Sequence, residues 1–189
     1  YIPMLGSHNV VNALAAYAVG RHFGLDGAAI AKGLAQVKVT GMRIEVIDAP
    51  NGVTLWNDAY NASPTSVRAA LTLLHDAEGY GRKYAVLGDM LELGKDEAAF
   101  HREIGAFVDP SKVEAVYTFG PLATHIAEGA LTRFPAGRVK HYDDKEALAR
   151  DLVAQAGSGD VVLIKGSRGM RMEQVAAFVL QLGGSFSGF

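Results

Sequence analysis

The chain has 189 residues, 49% of them hydrophobic, a net charge of −2 and no cysteine. That length and apolar content suit one folded domain plus a fragment of another and exclude a disordered chain, which would be poorer in apolar residues and more highly charged. The near-neutral charge argues against a nucleic-acid-binding surface, no apolar stretch is long enough to span a bilayer, and the lack of cysteine removes disulfides, thiolate zinc sites and a cysteine nucleophile.

The start Tyr1-Ile2-Pro3-Met4-Leu5-Gly6 has neither the charged nor the long apolar segment of a signal peptide, and reads as a chain cut inside something larger. Ser7 can cap a helix from His8 to His22, ended by Gly24, and Asp26 can cap a second over 27–37. Two such helices cannot bury their apolar faces on each other alone, so they are expected to pack on further chain. Lys38–Gly41 reads as a linker. Beyond it, 43–49 and 53–57 are β-rich and separated by Asn51-Gly52, a hairpin signal. Pro64 starts a helix to His75 with Ser63 as N-cap. The chain then alternates: strand 84–87, helix 96–108, strand 113–119, helix 121–133, strand 138–142, a helix from Asp143 to Ala156 with Glu146 completing a capping box, strand 161–164 and helix 172–182, with a frayed tail over 183–189. Strands alternating with helices of this length predict an α/β fold, a mostly parallel sheet covered on both faces, with an antiparallel edge hairpin and two helices in front.

Ligands in open α/β sheets bind beyond the carboxyl ends of the strands. That rule selects the loops 58–63, 88–94, 120–122 and 166–171. The loop Gly88-Asp89-Met90-Leu91-Glu92-Leu93-Gly94 lacks the glycine spacing of a dinucleotide site, and its Asp89 and Glu92 would repel a pyrophosphate. The loop Gly166-Ser167-Arg168-Gly169-Met170-Arg171 suits an anion better, with two guanidinium groups and a hydroxyl; the alternative is a solvated helix start with ordinary arginines. His8, Asn9 and Asn12 share one helix face, where the amide groups can read a purine edge or merely cap the helix. His22, His75, His101, His125 and His141 are scattered and form no zinc motif. Trp56, inside a strand, is expected in the core.

Four segments then combine: Gly6-Ser7-His8-Asn9-Val10-Val11-Asn12-Ala13-Leu14-Ala15-Ala16, Asn57-Asp58-Ala59-Tyr60-Asn61-Ala62-Ser63-Pro64, Leu87-Gly88-Asp89-Met90-Leu91-Glu92-Leu93-Gly94 and Lys165-Gly166-Ser167-Arg168. Their content and order resemble the Mur ligases of peptidoglycan synthesis, in the branch that adds D-alanyl-D-alanine to UDP-N-acetylmuramoyl-tripeptide. Ser63 departs from the asparagine usual in that branch. The resemblance implies a cytoplasmic, monomeric, three-domain ATP-dependent ligase of cell-wall precursor synthesis, bound neither to nucleic acid nor into a membrane. Residues 1–38 would end its central ATP-binding domain and 39–189 would form its Rossmann-like C-terminal domain. It implies nucleotide contacts from His8, Asn9, Asn12, Arg43 and Asp58. Position in the loops suggests contacts to the dipeptide from Asn61, Asp89, Met90, Gly120, Ser167 and Arg168, with Arg171 a second candidate for its carboxylate. ATP and Mg2+ are the expected cofactors. No G-x-x-x-x-G-K-[ST] segment is present, no metal ligand is assigned, and the chain alone is expected to be inactive. Two alternatives stand beside this: another amide ligase of the same superfamily, of the folylpolyglutamate type, or a noncatalytic binding domain on the same fold.

Overall fold

The structure, a computed structural model, describes residues 2–3, 8–37 and 43–185, with the side chains of His8 and Ser185 excluded. The expected Ser7 cap, the Lys38–Gly41 linker and the last residues of the tail lie outside that set. The chain divides into two compact units, Tyr1–Thr40 and Gly41–Phe189.

The first unit holds α1 (His8–His22) and α2 (Gly27–Ala35). Asp26 caps α2 as expected, its carboxylate accepting the Ala29 amide at 2.7 Å. Among the described residues only Ile30 is buried in this unit, while Val10, Val11, Leu14, Val19 and Phe23 are exposed. So small an apolar core cannot offset the chain entropy of ordering two helices.

The second unit is a six-stranded sheet in the order β1-β2-β6-β3-β4-β5. Its strands are β1 (Glu45–Asp48), β2 (Thr54–Asp58), β3 (Lys83–Gly88), β4 (Ala115–Phe119), β5 (Val139–Tyr142) and β6 (Val161–Lys165). β1 pairs antiparallel with β2, and every other pairing is parallel. The edge hairpin closes through Pro50-Asn51-Gly52, three residues rather than the two that Asn-Gly alone suggests: Ala49 N donates to Val53 O at 2.8 Å and Gly52 takes φ +81°. Ile44, at φ +49°, bends the chain, so β1 begins later than the expected 43.

Alternate strand residues feed two cores. Trp56, Ala85, Leu87, Val116 and Leu163 face α3 (Pro64–Asp76), α4 (Glu97–Phe107) and α5 (Ala123–Leu131). Leu55, Val86, Tyr117, Val162 and Ile164 face α6 (Lys145–Gln155) and α7 (Glu173–Ser185). Period-two alternation with apolar residues on both faces is what a doubly covered sheet demands.

Local chemistry sets the helix ends. Ser63 and Ser66 form a reciprocal capping box on α3 and Pro64 occupies its first turn. The expected box at Asp143 and Glu146 does not form. Asp144 caps α6 instead, accepting the Glu146 and Ala147 amides at 3.1 Å each, because it is the residue in extended backbone just before the first turn. α7 runs through Gly183 and Gly184 to Ser185, past the expected fraying point.

α4 and α5 touch backbone to backbone. A Cβ on Gly105 would lie 1.9 Å from Ile126 O, and one on Gly129 would lie 2.1 Å from Arg102 O. Only glycine permits that approach.

Candidate functional site

β3 and β6 are neighbours, yet the chain leaves β3 toward the α4 face and leaves β6 toward the α7 face. Diverging connections open a crevice at the carboxyl end of the sheet, the place where such folds bind ligands. A cleft of about 350 Å³ lies there. Tyr60 and Asn61 reach it from the turn after β2, Leu91 and Glu92 from the loop after β3, and Ser167, Arg168 and Gly169 from the loop after β6.

The floor is tightly cross-linked. Ser167, only 4% exposed, donates its amide to Asp89 O at 2.9 Å, and its Oγ accepts the Leu91 amide at 2.9 Å. Its hydroxyl also donates to Ala62 O at 3.4 Å, so one serine ties all three loops together. Asp89 is buried, and its carboxylate accepts the Ala123 amide at 2.6 Å at the start of α5. Burial pushes that carboxyl above its ordinary pKa, while the Ala123 and Leu122 amides pull it back. Gly120 sits against it at φ +108°, where a Cβ would come within 2.6 Å of Asp89 Oδ1. Met90 is fully buried and donates its amide to His101 Nε2 at 2.9 Å. The other ring nitrogen of His101 meets Glu97 O at 2.7 Å; a carbonyl can only accept, so Nδ1 carries the proton. Asp89, Met90 and Gly120 therefore underlie the loops and do not line this cleft.

Beside the cleft, Asp58 ends β2. Its Oδ2 accepts Lys165 Nζ at 2.5 Å, and the same ammonium donates to Asn61 O at 3.0 Å. The Lys165 side chain is 3% exposed and that of Asp58 13%. One carboxylate oxygen is thus committed, and the turn carrying Tyr60 and Asn61 is pinned from below. Asn61 Oδ1 accepts the Ala62 amide at 2.9 Å. The Arg43 guanidinium stacks 4.5 Å above the Tyr60 ring, a cation–π contact that places it near this turn. Arg168, its side chain 56% exposed, donates to Glu173 Oε1 at 2.7 Å, and Arg171 is exposed in left-handed backbone at φ +50°.

Of the residues singled out in the sequence, Arg43, Asp58, Asn61, Ser167 and Arg168 gather around this crevice. Asn9 and Asn12 lie in the other unit, where the Asn12 amide donates to Asn9 Oδ1 at 3.0 Å, and the His8 side chain lies outside the description. Among the described residues no group of three His, Cys, Asp or Glu side chains could hold a metal ion. No described helix is long and apolar enough to cross a membrane. Trp56 is buried and packs edge-on against Tyr80. Sequence reasoning gave no site role to Lys165, His101, Tyr60 or Glu92, although Lys165 carried a signal as a charge closing a wholly apolar strand and Glu92 as a charge unsuited to a pyrophosphate.

Comparison with known proteins adds the following. The family described as "Mur ligase, glutamate ligase domain" matches residues 42–168. The UDP-N-acetylmuramoyl-tripeptide--D-alanyl-D-alanine ligase of Bacillus subtilis (strain 168) is 50% identical over 181 residues, which is 96% of this chain and 40% of that protein. The ligase of the same name from Escherichia coli (strain K12) is 34% identical, over 92% of this chain and 37% of its own length. Among solved structures, the MurF ligase from Thermotoga maritima in complex with ADP superposes with a TM-score of 0.80 at 30% identity, over 96% of this chain and 40% of that one. A folylpolyglutamate synthase from Mycobacterium tuberculosis complexed with ADP gives 0.67 at 25% identity, over 94% of this chain and 41% of that one. The chain thus spans about 40% of the length of the relatives it matches.

Proposed function

Because the chain belongs to the Mur ligase family, we propose that it is the C-terminal part of an ATP-dependent ligase that adds D-alanyl-D-alanine to UDP-N-acetylmuramoyl-tripeptide in the cytoplasm. Residues 1–38 would close the central ATP-binding domain and 39–189 would form the domain that brings the dipeptide. In this reaction the γ-phosphoryl group of ATP passes to the terminal carboxylate of the tripeptide, giving ADP and an acyl phosphate. The dipeptide's amine attacks the acyl carbon, the bond to phosphate breaks, and the amine loses a proton. Magnesium, held by residues outside this chain, would supply charge neutralisation during phosphoryl transfer.

The observation that carries this reading is the crevice itself: Asn61, Ser167 and Arg168, three residues expected to meet the dipeptide, line one cleft beside Asp58. Arg168 suits the dipeptide's carboxylate through its planar fork. Asp58, one oxygen held by Lys165, would offer Oδ1 to the ribose hydroxyls, and Arg43, stacked on Tyr60 beside it, would reach the nucleotide. Asn9 and Asn12, with His8 beside them, would hold the adenine from the other side of the interdomain joint. Domain closure then assembles the site.

The test is a substrate panel with the full-length enzyme, following phosphate release. Turnover is expected only with ATP, UDP-N-acetylmuramoyl-tripeptide and D-alanyl-D-alanine together, and none from the 189-residue chain alone, which has no G-x-x-x-x-G-K-[ST] segment. Preference for a single amino acid or for glutamate on a folate acceptor would replace this reading with that of a different ligase of the superfamily.

A further inference from the structure

Among the described residues Glu92 is the one carboxylate that lines the cleft, together with the cationic Arg168 and the apolar Leu91. It sits at φ +64°, a left-handed conformation that favours glycine and costs a residue with a side chain. Among the described residues its carboxylate makes no hydrogen bond and no ion pair, whereas the other acidic groups nearby are committed: Asp58 to Lys165, Asp89 to the Ala123 amide and Glu173 to Arg168. Leu91, beside it, is held by its amide to Ser167 Oγ, so the backbone leading into Glu92 is anchored to the cleft floor.

A cleft with one anion, one cation and an apolar wall complements a small zwitterion. It does not complement a phosphate, which Glu92 would repel. We infer that Glu92 binds the amino group of the incoming D-alanyl-D-alanine while Arg168 takes the carboxylate at the other end. This rests on the function proposed above and adds the residue that reads the nucleophile. With both ends fixed, the amine is held at one place relative to the acyl phosphate, and a ligand lacking a free amine forgoes the Glu92 contact.

The experiment uses the full-length ligase with ATP and UDP-N-acetylmuramoyl-tripeptide saturating. Turnover of D-alanyl-D-alanine by the unsubstituted enzyme is measured first; its absence would overturn the proposed function and this inference with it. Given turnover, Glu92→Gln is expected to raise the Michaelis constant for the dipeptide about tenfold or more, the worth of one charged hydrogen bond, and to leave that for ATP unchanged. Propionyl-D-alanine, the dipeptide without its amino group, is then used as a competitive inhibitor. Its inhibition constant is expected to stay the same in Glu92→Gln and to weaken in Arg168→Ala, whereas the dipeptide weakens in both. Glu92→Gly, which fits the left-handed backbone, has to weaken the dipeptide without lowering the melting temperature. A dipeptide constant within twofold of the original in Glu92→Gln, or an equal loss for both ligands, would overturn the assignment.

Discussion

Replacing Lys165 with Met is expected to destabilise the second unit by about 3 kcal/mol, the low end for breaking a buried ion pair from one side. The substitution keeps the buried methylene volume but removes the ammonium that meets Asp58 Oδ2 at 2.5 Å and Asn61 O at 3.0 Å. Asp58 is then left as an uncompensated charge with a side chain only 13% exposed, and the part-buried Asn61 carbonyl loses its donor. Partial access of Asp58 to water is why the low end applies. Urea unfolding should show a lower midpoint at unchanged slope, since the surface exposed on unfolding hardly changes. The double substitution Lys165→Met with Asp58→Asn should recover a good part of the loss, because the stranded charge has gone. A loss under about 1 kcal/mol would mean that the pair behaves like a surface one. In the full-length enzyme the single variant should also bind ATP more weakly, since Asp58 and the turn bearing Tyr60 lose their common anchor.

Gly105→Ala should cost about 2 kcal/mol or more, against the trend for helices. At an open helical position the change would stabilise by about 1 kcal/mol through helix propensity alone. Here the new methyl would lie 1.9 Å from Ile126 O, 2.7 Å from Ala130 N and 2.9 Å from the Ile126 carbonyl carbon. All three are backbone atoms, so no side-chain rotation relieves the clash and the two helices must separate, as in other overpacked cores. The consequence reaches the site. α5 offers the Ala123 amide to Asp89, and α4 carries His101, which accepts the Met90 amide. Moving the helices apart loosens the loop that carries Leu91 and Glu92. Thermal unfolding measures the cost, and an unchanged or higher melting temperature would show that the helix pair yields freely.

Much of this architecture is legible from local pattern. Alternating apolar runs and long helices announce a doubly covered parallel sheet, Ser63-Pro64 marks the start of α3, and the four ligand loops follow from strand ends alone. Strand order is another matter. β6 lies between β2 and β3; the unbroken apolar run Val161–Ile164 announces a strand buried on both faces, but nothing local says which strands flank it. Asp143 and Asp144 are adjacent and chemically alike, so backbone dihedrals rather than residue type decided which one caps α6. The loop residues were found by motif, but their division of labour was not. Asp89 and Met90 belong to the same segment as Leu91 and Glu92, yet the first pair is buried and the second lines the cleft. That partition depends on His101 and Ala123, residues distant in sequence whose contacts no local rule predicts.

The function proposed here has Asn12 and Asp58 meeting one nucleotide in the full-length enzyme. A crystal structure of the full-length enzyme with a non-hydrolysable ATP analogue tests it most directly. The Asn12 amide is predicted within hydrogen-bond distance of the adenine and the Asp58 carboxylate within that distance of the ribose of the same molecule. A bound nucleotide that touches Asn12 while Asp58 stays sealed on Lys165 in a domain no hinge movement could bring to it would contradict the account.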